Sequence, residues 1–417
     1  MRRYESYKDS GVEWLGEVPS HWNLIPNKYI FKLRKNVVGK RSSEYDLLSL
    51  SLKGVIKRDM ENPEGKFPAE FDTYQEVKEG DFIFCLFDVE ETPRTVGLSS
   101  YHGMITGAYT IFETNNVDKK FIYYFYLNLD SDKRLKPLYK GLRNTISKET
   151  FFSFNTFIPP LSEQQKIAQF LDDKTAKIDQ AVDLAEKQIA LLKEHKQILI
   201  QNTVTRGLNP DVPLKDSGVE WIGQVPEHWE VKKMKFLFKD TSIKNKPDAT
   251  LLSVTQNRGV IPRNWLEERT VMPSGNLETF KFIQKDDFAI SLRSFEGGLE
   301  ICHHDGIISP AYTVLKYDKK FLNNGYYKYL FKCQKFISEM QTSIVGIREG
   351  KNISYEELKY SFLPIPQIIE QQKIAQFLDE KTAKIDQAIA LKTAHIEKLK
   401  EYKSVLINDV VIGKVRV

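Results

Sequence analysis

Two stretches of this chain recur almost unchanged at a single displacement, and a repeat of that kind restricts the fold to two copies of one plan. Asp9-Ser10-Gly11-Val12-Glu13-Trp14-Leu15-Gly16-Glu17-Val18-Pro19-Ser20-His21-Trp22 returns as Asp216-Ser217-Gly218-Val219-Glu220-Trp221-Ile222-Gly223-Gln224-Val225-Pro226-Glu227-His228-Trp229, which sets Asp9 and Asp216 207 residues apart. The run from Glu163 to Ala181 returns from Glu370 to Ala388 at the same 207, with one change, Asp173 to Glu380. Between these frames the likeness is thin and its register drifts. Leu47-Leu48-Ser49 matches Leu251-Leu252-Ser253 at 204, Asp81-Phe82 matches Asp287-Phe288 at 206, and Ala108-Tyr109-Thr110 matches Ala311-Tyr312-Thr313 at 203. The offset is 207 again at Ile146-Ser147 and Ile353-Ser354. A retained frame around unlike contents predicts two modules that do parallel jobs on different targets.

From Leu161 to about Val204 the chain has no Pro or Gly and is rich in Ala, Leu, Glu, Lys and Gln, which predicts a long helix. Ser162 and Gln165 read as a capping box after Pro159-Pro160, and Gly207 with Pro210 supplies the stop. Apolar residues fall on heptad positions: Ala168, Thr175, Val182 and Ile189 at one, Leu171, Ile178, Ala185, Leu192 and Leu199 at the other. The second copy repeats the register with Ala375, Thr382, Ile389 and Ile396 against Leu378, Ile385, Leu399 and Leu406, and puts Lys392 where the first has Ala185. Two such stripes predict that the helices pack on each other along a seam of Leu171, Ile178, Val182, Ile189, Leu192, Leu378, Ile385, Ile389, Ile396 and Leu399. Lys196 and Lys403 also fall on that seam, where a polar residue commonly fixes register.

The flanking regions carry short β-rich runs, such as Asp81-Phe82-Ile83-Phe84-Cys85-Leu86 and Asp287-Phe288-Ala289-Ile290-Ser291-Leu292, separated by Gly, Pro and Asn. They predict α/β (α+β) domains with mixed or antiparallel sheet. A content of 41% hydrophobic and 12% aromatic residues suits folded domains, and a net charge of +5 permits nucleic acid as a partner without demanding it. Cys85, Cys302 and Cys333 are odd in number and lack metal-type spacing, which predicts reduced thiols and no metal. The start of the chain does not read as a signal peptide and no run reads as a membrane span, so a soluble cytoplasmic protein is expected.

No P-loop, Rossmann glycine fingerprint, HExxH pair or Gly-x-Ser-x-Gly elbow occurs, nor the Asn/Asp-Pro-Pro-aromatic motif of an amino-methyltransferase, and no catalytic residue is assigned. Cys302-His303-His304-Asp305 reads as a polar loop, and Glu194-His195-Lys196 as solvated helix surface. Trp14, Trp22, Trp221 and Trp229 read as a structural clasp where each module meets the helices. Basic residues cluster after each Trp motif, with Lys28 and Lys32 equivalent to Lys235 and Lys239, and a second group from Lys133 to Lys148 ends the first module. The residues themselves leave three classes: a DNA reader, a coiled-coil assembly scaffold whose paired domains bind protein, and a self-sufficient nuclease. The missing catalytic motifs weigh against the third.

The Asp-Ser-Gly-Val-Glu-Trp-Ile/Leu-Gly-x-Val-Pro-x-His-Trp segments, the Glu-Gln-Gln-Lys-Ile-Ala runs and Thr205-Arg206-Gly207-Leu208-Asn209-Pro210 at the junction together resemble the specificity subunit of type I restriction-modification enzymes. The resemblance spans the chain in order. The second copy departs from it with Pro366-Gln367-Ile368 in place of Pro-Pro-Leu and with a tail that lacks the Thr-Arg-Gly-Leu element. It implies two target recognition domains, at residues 1–158 and 210–363, separated by two long helices, at 159–209 and 364–417, that pair antiparallel as a coiled coil about a pseudo-twofold axis. It implies a non-catalytic subunit whose partners are double-stranded DNA, read as a split target in the major groove, two modification (methyltransferase) subunits, and a restriction or motor subunit. S-adenosylmethionine, ATP and Mg would then sit on those partner subunits. Candidates for DNA contact are Lys28, Lys32, Lys235 and Lys239 at phosphates, and Lys57, Arg58, Arg94, Arg258, Arg263 and Arg293, with Lys53 and Asn257 nearby, at or near bases.

Overall fold

In the computed structural model the described residues are 2–59, 71–139, 144–256, 258–266, 276–292, 294–345 and 352–417. They form two compact units: Met1–Ala185 with Ala394–Val417, and Glu186–Thr393. Each unit contains one globular domain and part of both long helices.

The sheet of each unit follows directly from period-2 alternation. In the first unit four antiparallel strands run in the order Phe31–Arg34, Thr110–Thr114, Phe82–Phe84, Val96–Leu98. Phe82 and Phe84 point to one face, where they meet Phe31, Phe112 and the helix residues Phe121, Phe125 and Tyr126. Ile83 points to the other, among Leu48, Val55, Val77, Ile105 and Ile111. The second unit repeats the order with Phe238–Thr241, Thr313–Tyr317, Phe288–Ile290 and Glu300–Ile301. There Phe288 and Ile290 face the helices and Ala289 faces Leu252 and Val260. Both sheets are thus covered on two sides, with helices on one face and a β-hairpin on the other. Among the described residues parallel pairing is confined to isolated bridges, Leu47 with Met104, Leu251 with Ile307 and Val260 with Cys302. The strands are shorter than the β-rich runs predict. Asp81 and Asp287 stay outside them, each buried and turning back to accept a backbone N–H, from Lys78 at 2.8 Å and from Gln284 at 3.0 Å.

The long helices are Leu161–Arg206 and Ile368–Val411. The first begins one residue before the expected cap: the amides of Glu163 and Gln164 donate to the Pro160 carbonyl, so Ser162 lies inside the first turn and does not cap it. Gln164 ties the first turn to the chain entering it, donating from Nε2 to the Pro159 carbonyl, as Gln371 does to Pro366, both at 2.8 Å. In the second unit Lys196 reaches Asp386 at 2.7 Å and Lys392 reaches Gln188 at 2.6 Å, so the helices run antiparallel. In the first unit Lys403 reaches Asp179 at 2.6 Å, the same contact made by the equivalent residues. Leu171, Ile178, Leu378, Ile385 and Ile396 are buried, and Val182, Ile189, Leu192, Ile389 and Leu399 half-buried. Tyr124 ties the first domain to its helix through Asp172 (2.8 Å) and Thr175 (3.1 Å), and Tyr329 ties the second through Asp379 (2.6 Å) and Thr382 (3.0 Å).

The paired Trp motifs close the helix ends. Trp22 and Trp229 are fully covered, and each indole N–H donates to a first-turn glutamate, Glu163 at 3.1 Å and Glu370 at 2.9 Å. His21 and His228 touch the same carboxylates at 2.8 and 2.9 Å. Each indole also lies against the glycine that ends the other long helix. Gly413 in the first unit and Gly207 in the second have φ of +76° and +75°, and a Cβ on either would stand 3.3 Å from the indole. At Gly413 it would also overlap the Pro19 ring. Gly413→Ala should therefore destabilise the first unit by about 2 kcal/mol, and Gly207→Ala by less; urea unfolding of the full chain read at Trp fluorescence gives both values.

Candidate nucleic-acid interface

On the sheet face away from the helices, each unit carries the hairpin that holds most of the candidate base readers. In the first unit it pairs Leu48–Ser51 with Gly54–Lys57 across a two-residue tip, Leu52-Lys53. Gly54, at φ +93°, takes the left-handed conformation that the tight return requires. In the second unit Leu252–Thr255 pairs with Gly259–Pro262, leaving three residues at the tip. The offset between halves therefore steps from 204 to 205 at this turn.

The structure sorts the candidates. Lys57 and Arg58 stand at the far end of the hairpin from the tip. Lys57 pairs with Asp46 at 2.5 Å, and the Arg58 amide donates to Leu47 at 2.8 Å. Arg263 is the counterpart of Arg58, its amide donating to Leu251 at 3.0 Å. Arg258 is the one candidate at a tip; it is exposed, and its guanidinium donates to the Trp265 carbonyl at 3.4 Å. Arg94 turns inward: one Nη donates to the Leu52 carbonyl at 3.0 Å and the other lies 3.7 Å from Asp130. Arg293 and Asn257 lie outside the described residues.

Lys28 and Lys235 are equivalent and sit alike, each ammonium over the ring of an exposed neighbour, Tyr29 at 5.0 Å and Phe236 at 5.1 Å. Lys32 pairs with Glu113 at 2.8 Å, whereas Lys239 is exposed on its strand. In the later basic group Lys133 is held by Asp130 at 2.8 Å and Lys136 by Glu90 at 2.7 Å, while Lys140 and Arg143 lie outside the described residues. The exposed residues described at the two tips are therefore Leu52, Lys53, Gln256 and Arg258, and no motif marks Leu52 or Gln256.

No group of three or more His, Cys, Asp or Glu suited to a metal occurs among the described residues. Cys302 is buried and donates to the His304 carbonyl at 3.0 Å, and burial pushes its thiol up to about 12. No described helix is long and apolar enough to cross a membrane.

Glu300 is the outstanding ionisable group of the second unit. It is buried on the sheet edge and paired with Lys332; burial raises it to about 7, with Lys332 opposing. The folded chain holds this proton more tightly than the unfolded one, so the unit loses stability as pH rises from the ordinary value of 4.5 through about 7 and is level above. Glu300→Gln should remove that slope, seen as the difference between the urea midpoints of the two proteins across pH 4.5 to 8.

With this geometry in place, comparisons with known proteins agree. The family model for the type I restriction modification DNA specificity domain matches residues 104–193. The chain is 24% identical over 441 residues, 99% of itself and 97% of the relative, to a Methanocaldococcus jannaschii protein assigned as the MjaX type I restriction enzyme specificity subunit. It is 26% identical over 337 residues, 76% of itself and 75% of the relative, to the MjaVIII specificity subunit of the same organism. Among solved structures it is similar to a chain from a study of complex assembly and conformational transition in the type I restriction-modification system, with TM-score 0.69, 13% identity and coverage of 94% and 98%. It is also similar to the HsdS subunit from Thermoanaerobacter tengcongensis, with TM-score 0.55, 14% identity and coverage of 95% and 98%.

Proposed function

We propose that this chain, which belongs to the specificity-subunit family of type I restriction-modification systems, reads a split and asymmetric DNA target, one half through each unit, in the major groove. The observation that carries the reading is the contrast within the molecule. The Trp clasp, the Glu163/Glu370 anchor and the Lys–Asp pairs between helices recur at equivalent residues, while the hairpin tips differ in length and chemistry. One mounting with two unlike faces suits two unlike half-sites. The chain is itself non-catalytic, and S-adenosylmethionine, ATP and Mg would be held by its partners. Lys28, Lys235 and Lys239, all exposed, are suited to phosphates.

The long helices would dock the modification subunits. Leu191 and Ile198 stand seven residues apart on the first helix, 63% and 50% exposed, and Leu391 stands on the second, 65% exposed. This apolar stripe lies off the seam, where a partner helix could lay its own apolar face. Leu191→Glu with Leu391→Glu should abolish co-purification of modification subunits and leave the unfolding free energy from urea titration within about 0.5 kcal/mol of wild type.

Methylation mapping by long-read sequencing of the co-expressed complex should return a two-part motif with a fixed gap. Replacing residues 45–139 with the interior of another family member should change one half of that motif only. An assembled complex without any such motif would favour the scaffold reading instead.

A further inference from the structure

The two hairpin tips are held by the same device built from unrelated residues. In the first unit the carbonyl of Leu52 accepts from the Arg94 guanidinium at 3.0 Å, and behind Arg94 stands buried Asp130. Asp130 also accepts from the Thr95 amide at 3.0 Å, the Thr95 hydroxyl at 2.7 Å and Lys133 at 2.8 Å. In the second unit the residue matching Leu52 is Gln256, and its carbonyl accepts from the Lys332 ammonium at 3.0 Å; behind Lys332 stands buried Glu300. Each tip thus receives one cation on the same backbone oxygen, and each cation is backed by one buried carboxylate.

None of the four side chains has a like counterpart. Strand pairing aligns Glu300 with Gly97, both opposite the middle residue of the neighbouring strand. Counting back places Gly297 at Arg94, and counting forward from the equivalent helix caps Asp118 and Asn323 sets Lys332 at Leu127 and Lys335 at Asp130. The polarity is reversed: the first unit takes its cation from the sheet side and its acid from the helix, the second its acid from the sheet and its cation from beyond the helix. The space available explains the exchange. A Cβ at Gly97 would lie 2.6 Å from Leu50 and 2.7 Å from Val55 of the hairpin, so no carboxylate fits where Glu300 stands. In the second unit the Gln256 side chain fills the place beside Gly297 that Arg94 occupies in the first.

Stability is a poor reason for two such clamps. A carbonyl at an exposed tip can be satisfied by water, and a buried ion pair is often no more stable than apolar residues of the same volume. What the clamp does supply is position. In the first unit the tip so fixed presents Leu52, 66% exposed, with Lys53. In the second it presents exposed Gln256 and Arg258. An apolar side chain suits a thymine methyl, whereas Gln and Arg suit adenine and guanine edges.

We propose that these tips are the base-contacting elements of their units, and that Arg94 and Lys332 are positioning residues that hold them in place. The proposal rests on the reading of the chain as a DNA recognition subunit. It also reassigns Arg94, which acts through the tip and does not itself touch a base.

The test uses the full chain in complex with its modification subunits, in wild-type form and as Arg94→Met, Arg94→Lys, Lys332→Met and Leu52→Ala. Two measurements are made: methylation motifs by long-read sequencing, and hydrogen exchange across residues 48–57 and 252–262. Arg94→Met should speed exchange in the first hairpin and lower the preference for the cognate base about tenfold at one or two positions of one half-site, with the other half and the gap unchanged. Lys332→Met should do the same to the second hairpin and the other half-site. Arg94→Lys should restore most of both effects, since an ammonium already serves the equivalent carbonyl. A merely structural role would lower methylation evenly and leave base preference intact, and that result overturns the proposal. So does unchanged exchange in both Met variants, or faster exchange with both half-sites read as before. Leu52→Ala, at an exposed position, keeps the question open to decision if the clamp variants fail to fold: an unaltered motif would count against the tip. If the wild-type complex methylates without any two-part motif, the DNA-reading proposal fails first, and the exchange data still decide whether the clamp holds the tip.

Discussion

The contact on which each unit depends is the indole hydrogen bond from Trp22 to Glu163 and from Trp229 to Glu370. A buried Trp needs a partner for its N–H, and a glutamate in the first turn of a helix already sits where the helix dipole favours negative charge. One group therefore satisfies two requirements. The same indole lies on the closing glycine of the other long helix, so the start of one helix, the end of the other and the entry to the domain are fixed together. Because Gly413 plays in the first unit the part of Gly207 in the second, both helices are gripped at both ends by equivalent residues. That explains why the Trp motif and the helix openings are the parts that recur almost unchanged at 207.

Between those ends the seam is mostly apolar, yet it keeps two charged pairs, Lys196 with Asp386 and Lys403 with Asp179. The aspartates are 57% and 61% exposed, so these pairs add little stability. A polar residue on a seam favours the register that gives it a partner, and in this one each lysine meets an aspartate of the facing helix. Lys392 interrupts the second stripe without an ion pair and is met by Gln188 across the seam.

The long helices and their ends were legible because heptad spacing, the absence of Gly and Pro, and the terminal glycines are local signals. The clasp was legible from the repeated Trp and Pro. The capping box at Ser162 misled because Pro160 accepts the first helical bonds, which sets the cap two residues earlier. Most of the candidate interface was not legible, and the reason is that its geometry is tertiary. Arg94 follows Pro93 in an irregular stretch and looks like a residue free to reach DNA, but Asp130, 36 positions later on a helix, decides where it points. Glu300 and Lys332 have no common motif with Arg94 and Asp130, so comparing the halves by sequence could not have paired them.

The way the interiors diverged also limits how they can be exchanged. A tip, its cation and the carboxylate behind it form one unit of function spread over residues 52 to 130 in the first half and 256 to 332 in the second. A hairpin transplanted alone would arrive over a sheet edge shaped for another clamp: one built against Glu300 would find Gly97 and no acid, and one built against Gly97, with Leu50 and Val55 filling that space, would meet the buried Glu300. The chemistry of the tip can vary freely only if its support varies with it. Two halves with an almost identical frame and no clamp residue in common are the outcome expected when the frame sets where a tip must stand and each interior finds its own way to hold it there.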